Sequence, residues 1–220
     1  MSRTLLLDLD GTLIDTVPDL AAALNRLMNA RGLMGFTLAE TAAMVGDGVA
    51  RLVARACTAR GRATEPADIA DFAADYAAHA VVASHPFPDV PETLRALHGA
   101  GWCLALCTNK PEAPARALLG AFGLEDLFAA VGGGDSFPVR KPDPRHMLAT
   151  LAAAGGTPQA AVAAGDHSND VMAATGAGLP CIFAAWGYGP PEMAKGAAAV
   201  AHRFAEVPEL ARGLLRVRCR

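Results

Sequence analysis

Leu5-Leu6-Leu7-Asp8-Leu9-Asp10-Gly11-Thr12-Leu13 is an apolar run that ends in two carboxylates. Its front half has the composition of a buried β-strand. Side chains alternate along a strand, so Asp8 and Asp10 point one way and Leu9 the other. Gly11 permits a sharp turn directly after them. Two carboxylates therefore stand side by side at the C-terminal end of a strand, the edge at which open α/β sheets bind ligands. Like charges this close are costly unless a cation lies between them or one holds a proton.

The composition limits what this edge can serve. At 220 residues the chain can bury one sizeable core, or one core plus a small accessory domain. With 52% apolar and 19% charged residues it is a globular protein. The net charge is −3 and the basic residues are scattered, which argues against a nucleic-acid partner. No apolar stretch has the length of a membrane span, so no membrane partner is expected. The five cysteines form no CxxC, and Cys103 and Cys107 sit inside an apolar run. They are expected as small core residues of a reduced, cytoplasmic protein, as is the lack of an export leader. The six histidines are dispersed, so a zinc site is not expected.

Outward from the first strand, the apolar period lengthens. Leu20, Ala23, Leu24, Leu27 and Met28 define a helix face beginning near Val17 and stopping near Gly32. Thr37-Leu38-Ala39-Glu40 has the form of a capping box and predicts a second helix. Gly46-Asp47-Gly48 interrupts it, a third helix carries Val49, Leu52, Val53 and Ala56, and a fourth starts near Pro66 with Ile69, Phe72, Ala73 and Tyr76 on one side. After the proline-rich connector 84–91, helices and strands alternate. Strands are predicted at 102–107, 129–131, 161–164 and 180–184, and helices at 92–100, 112–122, 144–154 and 170–175. The expected fold class is α/β, a Rossmann-like parallel sheet with helices on both faces. Residues 1–14 and 84–220 form this core, and residues 15–83 an inserted α-helical block.

Each later strand is followed by chemistry. Thr108 and Asn109 follow one, with a hydroxyl and backbone N–H groups suited to an anion. Lys141 comes after another, and Pro142 biases it towards an extended backbone. Asp166 and Asp170 flank a third exit, as oxygen ligands of the kind Mg²⁺ accepts. Four aspartates, a threonine and a lysine thus share one sheet edge. A divalent cation and Lys141 there would neutralise a phosphoryl group, Thr108 would orient it, and a carboxylate would attack it.

In this order the motifs resemble the haloacid dehalogenase superfamily of phosphotransferases over nearly the whole chain: Asp8-Leu9-Asp10-Gly11-Thr12, Thr108-Asn109, Lys141-Pro142, and Gly165-Asp166 with Asp170. Within that superfamily the chain resembles the bacterial phosphoglycolate phosphatases, through Val45-Gly46-Asp47-Gly48, Arg55-Ala56 and Trp186-Gly187-Tyr188-Gly189. His167 departs from that pattern, where a small polar residue is more usual. The resemblance implies that the helical block is a cap, that Asp8 is a nucleophile forming an aspartyl-phosphate, and that Asp10 is a general acid and base. It further implies Mg²⁺ held by Asp8, the Asp10 carbonyl, Asp166 and Asp170. Thr108, Asn109 and Lys141 would bind the phosphoryl group, with Gly46, Gly48 and either Arg51 or Arg55 of the cap at the substrate's other end.

The expected activity is Mg²⁺-dependent hydrolysis of a small phosphorylated metabolite, phosphoglycolate first, by a monomer or homodimer. The alternatives are another capped phosphatase (sugar phosphate, nucleotide or pyrophosphate), a sugar-phosphate mutase, and a non-catalytic module that binds phosphometabolites.

Overall fold

The computed structural model describes residues 3–218. Its main sheet has six parallel strands: β1 (Thr4–Leu7), β4 (Cys103–Cys107), β5 (Phe128–Gly132), β6 (Ala161–Gly165), β7 (Cys181–Ala184) and β8 (Ala199–Ala201). The order is β5-β4-β1-β6-β7-β8. The chain builds outward from β1 to β5 and then crosses back to β6, so the strand order reverses beside β1. That reversal opens a crevice at the carboxyl ends of β1, β4 and β6, where the motifs lie.

Alternation along the strands sorts the core into two layers. Leu5, Leu7, Leu104, Leu106 and Val162 face α5 (Val90–Gly99), α6 (Glu112–Ala121) and α9 (Val207–Arg218). Leu6, Ala105, Cys107, Ala161 and Ala163 face α7 (Pro144–Ala153) and α8 (Ser168–Gly176). Cys57, Cys107 and Cys181 are buried free thiols and Cys103 is half-buried, while Cys219 lies outside the described residues.

Between β1 and the rest of the sheet come α1 (Val17–Ala30), α2 (Leu38–Ala42), α3 (Val49–Ala59) and α4 (Pro66–His79). They surround a separate cluster that includes Leu20, Leu24, Met28, Phe36, Leu52, Val53, Phe72 and Tyr76. Each large apolar side chain buried there contributes about 1.5–3 kcal/mol. The Thr37–Glu40 capping box is made in both directions. Ala73, expected on the buried face of α4, is exposed. The buried stripe runs through Phe72 and Tyr76, and Asp68 is buried beside it, paired with Arg31 and Arg62.

Two linkers join this block to the sheet, and they pair with each other as antiparallel strands. β2 (Ile14–Asp15) lies against β3 (His85–Pro86). Beside them, Asp19 of α1 accepts hydrogen bonds from the backbone N–H groups of Val82, Ala83 and Ser84 and from Ser84 Oγ at 2.7 Å. Burial opposes the Asp19 charge, but these donors outweigh it and hold the carboxyl below its usual range.

The element bounds differ from the sequence expectation in a few places. α8 begins at Ser168 because His167 caps it: His167 Nδ1 accepts from the Asn169 N–H, and Asp170 Oδ2 accepts from the His167 N–H. α5 begins at Val90, with Pro91 in its first turn. The pairs β2 and β3, the short β8 and α9 complete the fold beyond the predicted alternation.

Candidate active site

The loops after β1, β4, β5 and β6 bring their polar residues to one place. Asp8 is buried at the end of β1, with its backbone N–H bonded to the Ala164 carbonyl at 3.0 Å. Asp8, Asp166 and Asp170 each direct a carboxylate oxygen inward, and these oxygens lie within 4.8 Å of one another. All three residues are buried. Lys141 reaches the same point from the loop after β5. Its ammonium lies 2.9 Å from Asp8 Oδ1 and donates to Asp170 Oδ1 and the Cys107 carbonyl, each at 2.6 Å.

One lysine does not balance three buried carboxylates. Burial, then the charges of Asp8 and Asp170, push the Asp166 carboxyl up to about 8. Burial also raises Asp170, against the pull of Lys141. Burial opposes the Lys141 charge, yet Asp170 and Asp8 outweigh it and raise its pKa. A hard oxygen-only donor set with a residual negative charge matches what a divalent cation such as Mg²⁺ requires.

The surroundings hold Asp166 in position. Its Oδ1 accepts from Thr12 Oγ1 at 2.9 Å and its Oδ2 from the Tyr188 N–H at 2.8 Å. A Cβ at Gly11 or Gly187 would collide with the Asp166 side chain, so the turn after β1 and the Trp186-Gly187-Tyr188-Gly189 loop close on it from two sides. Gly11 also has φ +81°, a conformation that disfavours other residues. The Tyr188 ring extends further: its hydroxyl donates to Asp15 Oδ1 at 2.8 Å and accepts from the N–H groups of Thr16 and Val17.

Asp10 is half-buried and is not one of the three clustered carboxylates. It accepts from Thr16 Oγ1 at 2.7 Å and from the Lys110 ammonium at 3.0 Å. Lys110 is itself buried and donates to Tyr76 Oη of α4 at 2.9 Å. Burial works against its charge, but Asp10 and Tyr76 more than compensate and raise its pKa. Thr108 is buried at the end of β4, its Oγ1 accepting from the Lys110 N–H at 3.2 Å. Asn109 Nδ2 donates to the carbonyls of Gly46 and Lys141, both at 3.0 Å.

The helical block forms the roof. Gly46 O accepts from Asn109 and also from Asn169 Nδ2 at 3.3 Å, and Asn169 donates to Asp47 Oδ1 at 2.7 Å. Gly46 has φ +118°, and a Cβ there would strike the His167 ring. Two small adjoining chambers remain beneath the roof, sharing Asp8, Asp10, Val45 and Gly46. One, of about 30 Å³, is also lined by Leu20, Gly48, Val49, Leu52, Thr108, Asn109 and Lys110. The other, of about 40 Å³, reaches Asp166, His167 and Tyr188.

Arg51 and Arg55 are not among the residues lining either chamber. Both are exposed and line a separate outer depression, where Arg55 pairs with Asp47 and donates to the Met44 carbonyl. Lys110, Tyr76, Thr12, Thr16 and Tyr188 join the site without having been singled out from the sequence as site residues. For Lys110 a signal existed: Lys110-Pro111 repeats, after β4, the Lys-Pro pairing that marks Lys141.

The comparisons with known proteins agree with this geometry. Residues 3–178 match the family model of haloacid dehalogenase-like hydrolases. The phosphoglycolate phosphatase of Agrobacterium fabrum is 42% identical over 192 residues, covering 86% of this chain and 82% of that protein. The crystal structure of a predicted phosphoglycolate phosphatase from Haemophilus somnus superposes with a TM-score of 0.86 at 29% identity, covering 95% of this chain and 97% of that one. CbbY from Rhodobacter sphaeroides in complex with phosphate superposes with a TM-score of 0.79 at 28% identity, covering 94% and 96% of the two chains. Sheet order, carboxylate cluster and sequence similarity together make this chain a member of the haloacid dehalogenase-like hydrolase family.

Proposed function

We propose that the protein is a Mg²⁺-dependent phosphomonoester hydrolase whose preferred substrate is phosphoglycolate. The observation that carries this reading is the convergence of Asp8, Asp166 and Asp170 within 4.8 Å, beside a buried lysine. The naming of the Agrobacterium fabrum relative supports the choice of substrate. The small chambers under the roof support a substrate of few atoms.

Asp8, Asp166, Asp170 and the Asp10 carbonyl would hold the ion. When bound, it supplies positive charge to the phosphoryl oxygens as their charge redistributes in the transition state. Lys141 adds a second positive centre and, 2.9 Å from Asp8 Oδ1, holds that carboxylate aligned. Thr108 and Asn109 orient the phosphoryl group from the end of β4. An Asp8 oxygen attacks phosphorus, the ester P–O bond breaks, and the leaving oxygen takes a proton from Asp10. Water then attacks the aspartyl-phosphate and gives its proton to Asp10, which restores both residues and releases phosphate. Residues 15–83 act as a cap that excludes water and reads the far end of the substrate.

A phosphate-release assay with Mg²⁺ over phosphoglycolate, hexose phosphates, nucleotides and pyrophosphate tests the reading. The highest kcat/KM is expected for phosphoglycolate. Preference for a hexose phosphate would overturn the substrate assignment, and an absence of phosphate release from every compound would overturn the activity.

A further inference from the structure

Lys110 is a buried cation in the first chamber that the steps above leave unused. Among the residues lining that chamber it is the one cationic side chain, since Arg51 and Arg55 open onto the outer depression. Its ammonium has three N–H bonds. One direction is taken by the Asp10 carboxylate and one by the Tyr76 hydroxyl, which leaves a donor for a ligand. Leu20, Val45, Val49 and Leu52 make up much of the remaining wall. This apolar side of the wall offers no partners to a row of sugar hydroxyls, whose burial against it would be unfavourable. It accepts a short carbon chain with a negative group at its end.

We propose that Lys110 is the specificity-determining residue of this enzyme: it receives the carboxylate of a short phosphorylated acid, and Tyr76 of the cap holds it in place to do so. This rests on the phosphatase reading above. The phosphoryl group sits at Asp8 and Lys141, the carboxylate at Lys110, and the chain between them spans the chamber from Asp8 to Lys110. Because Tyr76 belongs to the helical block and Lys110 to the loop after β4, the carboxylate is read where the block and the core meet. Arg140 is the rival cation. It lies near Gly48, but it is exposed and does not line the chamber.

The test compares phosphoglycolate with ethyl phosphate, which has the same two carbons and no carboxylate. In the wild type, kcat/KM should favour phosphoglycolate. In Lys110→Met and Lys110→Gln that preference should fall by roughly 30-fold or more, mainly through KM, as expected when one partner of a desolvated charge pair is lost. Tyr76→Phe should reduce it by several-fold, and Arg140→Gln should leave it unchanged. Independently of turnover, phosphoglycolate should raise the melting temperature of the Mg²⁺-free wild type more than ethyl phosphate does, and Lys110→Gln should remove that difference. Should Lys110→Met not fold, Lys110→Gln and Tyr76→Phe decide the matter. Equal losses on both substrates would mean that Lys110 acts only through Asp10, and loss of preference in Arg140→Gln alone would move the subsite; either result overturns the proposal. Failure of the wild type to release phosphate from both compounds would instead overturn the phosphatase reading.

Discussion

The floor and the roof of the site are built on different principles. The floor consists of side chains at the ends of neighbouring parallel strands, buried and joined by charge: Asp8, Asp166 and Asp170 around Lys141. The roof is held down by a few neutral or singly charged hydrogen bonds from Asn109, Asn169 and Lys110 to Gly46, Asp47 and Tyr76. Removing one charge from the floor leaves the others buried without compensation, which is expensive. Removing one contact from the roof costs about 1 kcal/mol and lets the block lift. On the proposed reading, chemistry belongs to the floor, and selection to the seam where floor and roof meet.

The sharpest way to break this division is at Asp8. Asp8→Asn keeps the shape of the side chain and removes the attacking charge, so phosphate release with Mg²⁺ should fall by at least about 10⁴-fold while the circular dichroism spectrum stays unchanged. Turnover close to wild type would remove Asp8 from the role of nucleophile. Lys141→Met tests whether the floor is also structural. It strands Asp8 and Asp170 beside each other, and urea denaturation without added metal should show a loss of roughly 3–5 kcal/mol together with near-complete loss of activity.

One group beneath the floor should make the fold acid-sensitive. His146 of α7 is fully buried beneath it, with Nε2 against the Gly133 carbonyl at 3.0 Å and Nδ1 against Cys107 Sγ at 3.8 Å. Burial first, then the Lys141 charge, push its pKa down to about 4, against the opposing influence of the Gly133 carbonyl, Asp8 and Asp143. The unfolded chain takes up this proton near the ordinary histidine value while the folded chain does not. Stability should therefore decline as the pH falls from about 6.5 towards 4, by up to roughly 3 kcal/mol from this group alone. His146→Gln should flatten that part of the profile in denaturant titrations at stepped pH. An unchanged slope would show that His146 is not the group responsible.

The smallest effect is expected at the roof. Gly46→Ala places a methyl group against His167 in a backbone conformation that disfavours it. KM for the preferred substrate should rise by roughly tenfold with little change in melting temperature, because the roof contributes to binding more than to the stability of the core. A large loss of thermal stability would show instead that the roof is part of the folding core.

Much of the floor could be read in the sequence, and little of the roof. Asp8 and Asp166 directly follow apolar strands, so periodicity carries them to one edge, while Asp170 in the first turn of α8 and Lys141 in the long loop after β5 are legible through their motifs. The roof depends on pairings between distant segments. Tyr76 fits the apolar stripe of α4, and only the fold shows its hydroxyl meeting Lys110, 34 positions away. Arg51 and Arg55 illustrate the opposite difficulty. They are four residues apart and share one side of α3, while Leu52, Val53 and Ala56 take the inward side. Helical phase therefore turns both arginines outwards, although their chemistry suits a carboxylate. The strands β2 and β3 are two residues each, too short for any period to be visible.

Those two short strands have a mechanical consequence. Paired side by side, with Ile14 opposite Pro86 and Asp15 opposite His85, the crossings between the two parts of the molecule resist sliding past each other and resist twisting. Bending across the ribbon is the compliant direction that remains. Any opening of the helical block would thus be restricted to something close to a single arc, like a door on two pins, whose closed end is fixed where Gly46 meets two asparagines.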